Sequence, residues 1–239
     1  MTGYALQMTF VKTGRVVAAA IGFCGLLACA PMPSAEAEAC PDVEVIFARG
    51  TSEPPGVGGV GQAFVDAVRA QAGNRSVGVY PINYPAANNF DDRVAFASTV
   101  IEGIKDASAH IQSTAANCPN TRMVLGGYSQ GAVVAGFVTS ATVPQGLPAD
   151  MMPQPMPPAV ADHVAAVALF GKPSDAWMSQ YGAPPITIGP AYAAKTVQEC
   201  AQGDTICDGT PGGGPTFAHG LYPVNGMVDD AVTFVTGRY

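Results

Sequence analysis

A serine inside a glycine-framed turn, a late histidine and an aspartate between two cysteines are the parts of an acyl-transfer site. Gly127-Tyr128-Ser129-Gln130-Gly131 follows the apolar run Met123-Val124-Leu125 and precedes an apolar segment that starts at Ala132. That strand–turn–helix setting is what makes a G-x-S-x-G pattern a nucleophile elbow. The turn is tight, so a side chain at 127 or 131 would collide with neighbouring backbone. The serine is then presented at a helix N-terminus, where backbone N–H groups point outward.

A serine hydroxyl is a poor nucleophile until a base takes its proton. Three histidines are available. His110 falls within a long helical stretch and His163 at a strand entrance, which suits structural or surface roles. His219 lies in Phe217-Ala218-His219-Gly220, a loop after the Gly212-Gly213-Gly214 run and before the last helix. It is the expected base. The base needs a carboxylate to hold its tautomer and stabilise the imidazolium. With the order Ser, then Asp or Glu, then His, the choice falls on Asp204, enclosed between Cys200 and Cys207, with Asp208 as the alternative. A closed loop would hold the carboxylate fixed, as catalysis requires. The oxyanion formed by attack needs two donors. The Gln130 N–H, just after the nucleophile, supplies one. Thr51, in the loop after an early strand, is the expected second.

The surrounding pattern must position these residues. Segment 43–48 reads as a buried strand, followed by a Gly/Pro-rich loop over 50–61 and an amphipathic helix over 62–71. Strands are expected at 76–84, 122–126 and 164–170, with helices over 91–116, 130–140 and 227–238. In the helix over 91–116, Val94, Val100, Ile101, Ile104 and Ile111 are the expected inward positions. Residues 145–159 read as a loop, and 186–199 as irregular with room for a short fifth strand. Alternating strands and helices imply an α/β fold: a mostly parallel sheet with helices on both faces. Sites in such sheets form beyond the carboxyl ends of the strands. The segments starting at Arg49, Gly127 and Gly171 all end there.

The first 39 residues have the order of parts of a secretory signal peptide: Lys12 and Arg15, an apolar run from Val16 to Ala30, then Ala-x-Ala sequences at 35–39. Cleavage near 37–39 leaves 200 residues, one domain with a proper core. Leu26-Leu27-Ala28-Cys29 is an alternative, lipoprotein-type cleavage site, and Met8 an alternative start. The formal net charge is -7, with no basic run, which argues against nucleic acid and anionic membrane surfaces as partners. Four cysteines remain after cleavage: Cys40, Cys118, Cys200 and Cys207. An even number in an exported chain suggests two disulfides. Of three connectivities, closeness in sequence favours Cys200–Cys207, which leaves Cys40–Cys118. No histidine stands near either pair at finger-like spacing, so no metal is expected.

Phe47-Ala48-Arg49-Gly50-Thr51, the 127–131 motif, Cys200-x3-Asp204-x2-Cys207 and Ala218-His219 together resemble the cutinases, above all the cutinase-like proteins of mycobacteria. The resemblance runs over about residues 40–237. It implies a compact, five-stranded α/β-hydrolase with an exposed serine and no full lid. It implies ester hydrolysis by Ser129, Asp204 and His219, with Thr51 and Gln130 as oxyanion pair, no cofactor, and the same two disulfides. Fungal cutinases carry serine where this chain has Thr51; a hydroxyl is retained. The Pro/Met-rich stretch 147–158 looks longer than the family's usual connection.

The expected protein is thus a secreted, monomeric serine esterase acting on acyl esters, lipids or polyesters, with transient contact to a lipid surface. Tyr84, Leu169, Phe170, Ile186, Ile188 and Leu221 lie near the motifs and are candidates to receive an acyl chain. The same triad would serve a phospholipase, thioesterase or acyltransferase. A rival of another class is a non-catalytic secreted binding protein, whose mark would be a broken triad.

Overall fold

The computed structural model describes residues 40–141 and 153–239. The expected signal segment and the first half of the 147–158 stretch, residues 147–152, lie outside the described residues. Five strands form the sheet: β1 (Val43–Ala48), β2 (Val77–Pro81), β3 (Arg122–Tyr128), β4 (Val164–Phe170) and β5 (Thr196–Glu199). Their order is β2-β1-β3-β4-β5 and every pairing is parallel. The helices are α1 (Gly58–Gln71), α2 (Arg93–Asn117), α3 (Gln130–Val138), α4 (Asp175–Gln180), α5 (Pro190–Ala193) and α6 (Met227–Thr236).

Each sheet face carries its own apolar cluster. On one, Ile46, Met123, Leu125, Val167 and Leu169 pack against Ile104 and Ile111 of α2 and Val134 and Val138 of α3. On the other, Val45, Phe47, Val124 and Phe170 pack against Phe64, Val65 and Val68 of α1 and Val228, Val232 and Val235 of α6. Strand alternation sends successive side chains to opposite clusters. β4 is therefore buried on both sides along its whole length. Burying two layers of branched and aromatic side chains at about 25 cal/mol per Å² is the main force holding the sheet.

The structure departs from the sequence expectations where local signals were overridden. α1 starts at Gly58, not 62, because the Glu53 carboxylate accepts the Gly59 N–H (2.7 Å) and supplies the negative charge a helix start favours. β2, the edge strand, stops at Pro81, short of 84; Pro81 is level with Phe47, one residue before the end of β1, and the last contact between the two is the Ile82 N–H to the Phe47 carbonyl (3.0 Å). Val94 is exposed, lying in the first turn of α2, which is capped by Asp92. α4 and α5, each a turn or two long, are absent from the sequence reading.

The chain passes from β1 to the edge strand β2 and then back to β3 on the other side of β1. The carboxyl ends of β1 and β3 thus flank a switch point, with Ala48 level with Gly127. A crevice forms where the two connections part in opposite directions.

Candidate active site

Ser129 stands between β3 and α3 with φ of +54°, a left-handed conformation rare for a residue with a side chain. Its N–H is fixed by the Phe170 carbonyl (2.9 Å), and its carbonyl accepts the Ala132 N–H (2.9 Å). The flanking glycines make this turn feasible. A Cβ on Gly127 would strike the Gly131 carbonyl, and one on Gly131 would strike the carbonyls of Ala48 and Arg49. The strain is thereby over-determined by packing, as at other functional turns.

His219 sits in a short 3-10 turn, Phe217–Gly220. Its Nε2 lies 2.9 Å from Ser129 Oγ and its Nδ1 2.8 Å from Asp204 Oδ2. Asp204 is fully buried. Burial pushes its carboxyl pKa up, but the hydrogen bonds from His219 and Tyr222, the His219 charge and the Ile206 N–H outweigh it, and the net shift is downward. An ionised carboxylate only accepts, so Nδ1 carries the imidazole proton and Nε2 presents its lone pair to the serine. Tyr128, the residue before Ser129, donates its hydroxyl to the His219 carbonyl at 2.7 Å and so ties the histidine turn to β3.

Asp204 is fixed by its loop. Cys200 and Cys207 are disulfide-bonded around it, and the Ile206 N–H donates to Oδ1 at 3.1 Å. The alternative, Asp208, is exposed and accepts the Thr210 N–H (2.8 Å). The second disulfide, Cys40–Cys118, ties the segment before β1 to the end of α2, at the opposite end of the strands. His110 pairs with Glu44 at 3.0 Å and stacks on Tyr80, well away from Ser129 in the fold.

The loop after β1 is rigidly held. Arg49 is 4% exposed; it donates to the carbonyls of Glu53 (2.8 Å) and Tyr84 (2.5 Å), and the Tyr84 hydroxyl donates back to the Arg49 carbonyl. Glu53 accepts the Gly50 N–H at 2.5 Å, and the Ser52 N–H donates to Ala86 at 2.7 Å. This frame brings Thr51 to the same cavity as Ser129, Gln130 and His219. The Gln130 N–H opens α3 and lacks an intrahelical partner by position. The Gln130 side chain also bonds the Ala87 carbonyl (3.1 Å), joining α3 to the loop before α2.

The cavity is about 420 Å³ and chiefly apolar, with Phe90, Phe96, Val133, Trp177, Met178, Tyr181 and Ile206 among its lining residues. Among the described lining residues none is a lysine or arginine. Tyr84, Leu169, Phe170 and Ile186, expected to receive an acyl chain, are instead core residues. None of the six acyl candidates lines this cavity. The strand residues among them lie inside the two-sided core; the cavity wall comes from aromatic residues around the start of α2 and on α4. Their spacing (Phe90 with Phe96, Trp177 with Tyr181) was visible, but without α4 nothing linked the two pairs.

Comparison with known proteins agrees with this architecture. The cutinase family model matches residues 39–239. The chain is 57% identical over 169 residues to the probable carboxylesterase Culp7 of Mycobacterium tuberculosis, covering 71% of this chain and 88% of that one. It is 45% identical over 236 residues to phospholipase Culp4 of the same organism, covering 99% and 93%. Among solved structures, a Trichoderma reesei cutinase in complex with a phosphonate inhibitor superposes with a TM-score of 0.62 at 32% identity, covering 83% of this chain and 76% of that one. The chain belongs to the cutinase family.

Proposed function

We propose that this chain hydrolyses carboxylic esters by acyl transfer through Ser129, with His219 as the proton carrier and Asp204 as its partner. The observation that carries the reading is the unbroken line from Asp204 Oδ2 through both His219 nitrogens to Ser129 Oγ, at 2.8 and 2.9 Å, beside an apolar cavity. Its coarser part, a cutinase-like carboxylic ester hydrolase, is supported by the family match and by the carboxylesterase relatives.

Ser129 Oγ attacks the ester carbonyl while its proton passes to His219 Nε2. Asp204 stabilises the imidazolium, and the N–H groups of Thr51 and Gln130 receive the oxyanion. Collapse of the tetrahedral intermediate expels the alcohol, which takes the proton from Nε2. Water then repeats the sequence on the acyl-enzyme and releases the acid. The acyl chain lies against Phe90, Phe96, Trp177 and Tyr181. Phe217, 85% exposed and two residues before the histidine, is placed to touch a lipid surface. The chemistry needs no metal or cofactor. The working unit is a single domain over residues 40–239, exported after removal of 1–39.

The test is hydrolysis of p-nitrophenyl esters from two to sixteen carbons by the mature protein and by its Ser129→Ala variant. The variant should lose on the order of 10⁶ in turnover. Equal rates in the two proteins would overturn the reading and favour a binding protein on this fold. A second reading, phospholipase activity, is supported by the likeness to Culp4 over nearly the whole chain. The absence of a cation among the described lining residues favours uncharged esters instead. Release of fatty acid from phosphatidylcholine vesicles as fast as from the best p-nitrophenyl ester would reverse that order.

A further inference from the structure

The Asp204 carboxylate holds more than the histidine. Its Oδ2, the oxygen facing His219 Nδ1, also accepts the Tyr222 hydroxyl at 2.5 Å. The Tyr222 oxygen in turn accepts the Ala201 N–H at 3.1 Å, so one phenol joins two points of the disulfide-closed loop. Tyr222 is fully buried and stands edge-on to His219, with ring centroids 6.4 Å apart at 86°. Its ring is also wedged edge-on against Phe170 at 6.1 Å. It does not line the cavity, so it does not meet substrate there.

We propose that Tyr222 is a positioning residue of the triad: its hydroxyl fixes the Asp204 carboxylate toward His219 and draws charge from the oxygen the histidine uses. This rests on the reading of Ser129, His219 and Asp204 as the triad. Two consequences follow from the geometry. A carboxylate with donors on both oxygens cannot rotate away from the imidazole during turnover. A phenol sharing Oδ2 also weakens the pull of the carboxylate on the imidazolium, since a charge-assisted bond spreads the negative charge it accepts. Tyr222 thereby keeps the protonated histidine from being held too firmly to give its proton to the leaving alcohol. Burial and the neighbouring Asp204 keep the phenol far above its ordinary pKa, so it stays a donor throughout the working range. The other groups facing this cluster are the Tyr128 phenol, 5.9 Å from the Tyr222 ring, and the Cys207 sulfur at 3.5 Å; Glu53 acts from beyond Tyr128.

The experiment follows kcat and KM against pH for the mature protein, Tyr222→Phe and Ser129→Ala on a short p-nitrophenyl ester. Phenylalanine keeps the ring and removes only the hydroxyl. The expected result for Tyr222→Phe is kcat lower by about tenfold, the worth of a hydrogen bond to a charged group. KM should be unchanged, and the acid limb of kcat/KM should move upward by about half a pH unit or more. A merely structural role would lower Tm and yield without moving that limb. A protein with 3-fluorotyrosine at 222 retains the whole bond network with a stronger donor, and its acid limb should move downward. An unmoved limb in both proteins, or an unchanged kcat in Tyr222→Phe, overturns the proposal. If Ser129→Ala is as active as the parent, the triad reading itself fails. If that variant is inactive and the limbs are unmoved, only the role of Tyr222 fails.

Discussion

At the residue scale the site depends on a carboxylate buried without a full counter-charge of its own. Asp204 stays ionised because donors converge on it: His219, Tyr222 and the Ile206 N–H. Asp204→Asn keeps the size but turns an acceptor into a group that also donates, so His219 is held in the wrong tautomer. Turnover should fall by about 10⁴ with little change in fold. The same carboxylate links stability to acid. Its folded pKa lies below the ordinary value of 3.8. The stabilisation is therefore present above that value and is lost as pH falls through the lower folded value. Melting temperature measured against pH should show a shallower acid decline in Asp204→Asn than in the parent, below about pH 4. A parallel decline in the two proteins would contradict the assignment. Ser129, His219 and Asp204 were legible because each has a distinct chemical signature: a glycine-framed turn, a late loop histidine, a cysteine-bracketed aspartate. Tyr222 was not, since a tyrosine three residues after a histidine looks like any core aromatic until its hydroxyl is located.

At the element scale, the two disulfides serve different ends of the molecule. Cys40–Cys118 joins distant parts of the chain far from the chemistry, while Cys200–Cys207 closes the loop that carries Asp204. In the chain-entropy account the long loop contributes about 4.5 kcal/mol and the short one about 2.5. Replacing Cys40 and Cys118 by serine should lower Tm with kcat nearly intact at 25 °C. Replacing Cys200 and Cys207 should cost less in Tm and lower kcat at least tenfold, because the carboxylate loses its fixed position. The reverse pattern, measured by thermal melts and ester turnover, would contradict this division. β1 and β4 match the sequence reading residue for residue because they are apolar and buried along almost their whole length. What was not readable was set by tertiary contacts. Glu53 extends α1 by reaching it from outside the helix, β2 at the sheet edge has only β1 to pair with among the described strands, and α4 is too short to show a period.

At the scale of the whole molecule, the candidate site forms at a switch point in an all-parallel sheet, where the loops after β1 and β3 meet and the loop after β5 brings in Asp204. The apolar cavity beside them is assembled from parts far apart in sequence, which is why its location escaped a reading confined to residues near the motifs. The two disulfides fit the proposed export of the chain. Among the described residues no helix is long and apolar enough to cross a membrane. Mass spectrometry of the protein exported by its native host should find an N-terminus near residues 38–40; a lipid-bearing start at Cys29 would contradict free secretion. The central claim, that ester bonds are broken through Ser129, is tested most directly by an alkyl p-nitrophenyl phosphonate. Attack by Ser129 Oγ on phosphorus expels p-nitrophenolate and leaves a stable adduct. Intact-mass and peptide analysis should find one adduct, on Ser129, formed in step with loss of esterase activity and absent from Ser129→Ala. Full inactivation with the label on another residue, or full activity with Ser129 labelled, would contradict the account.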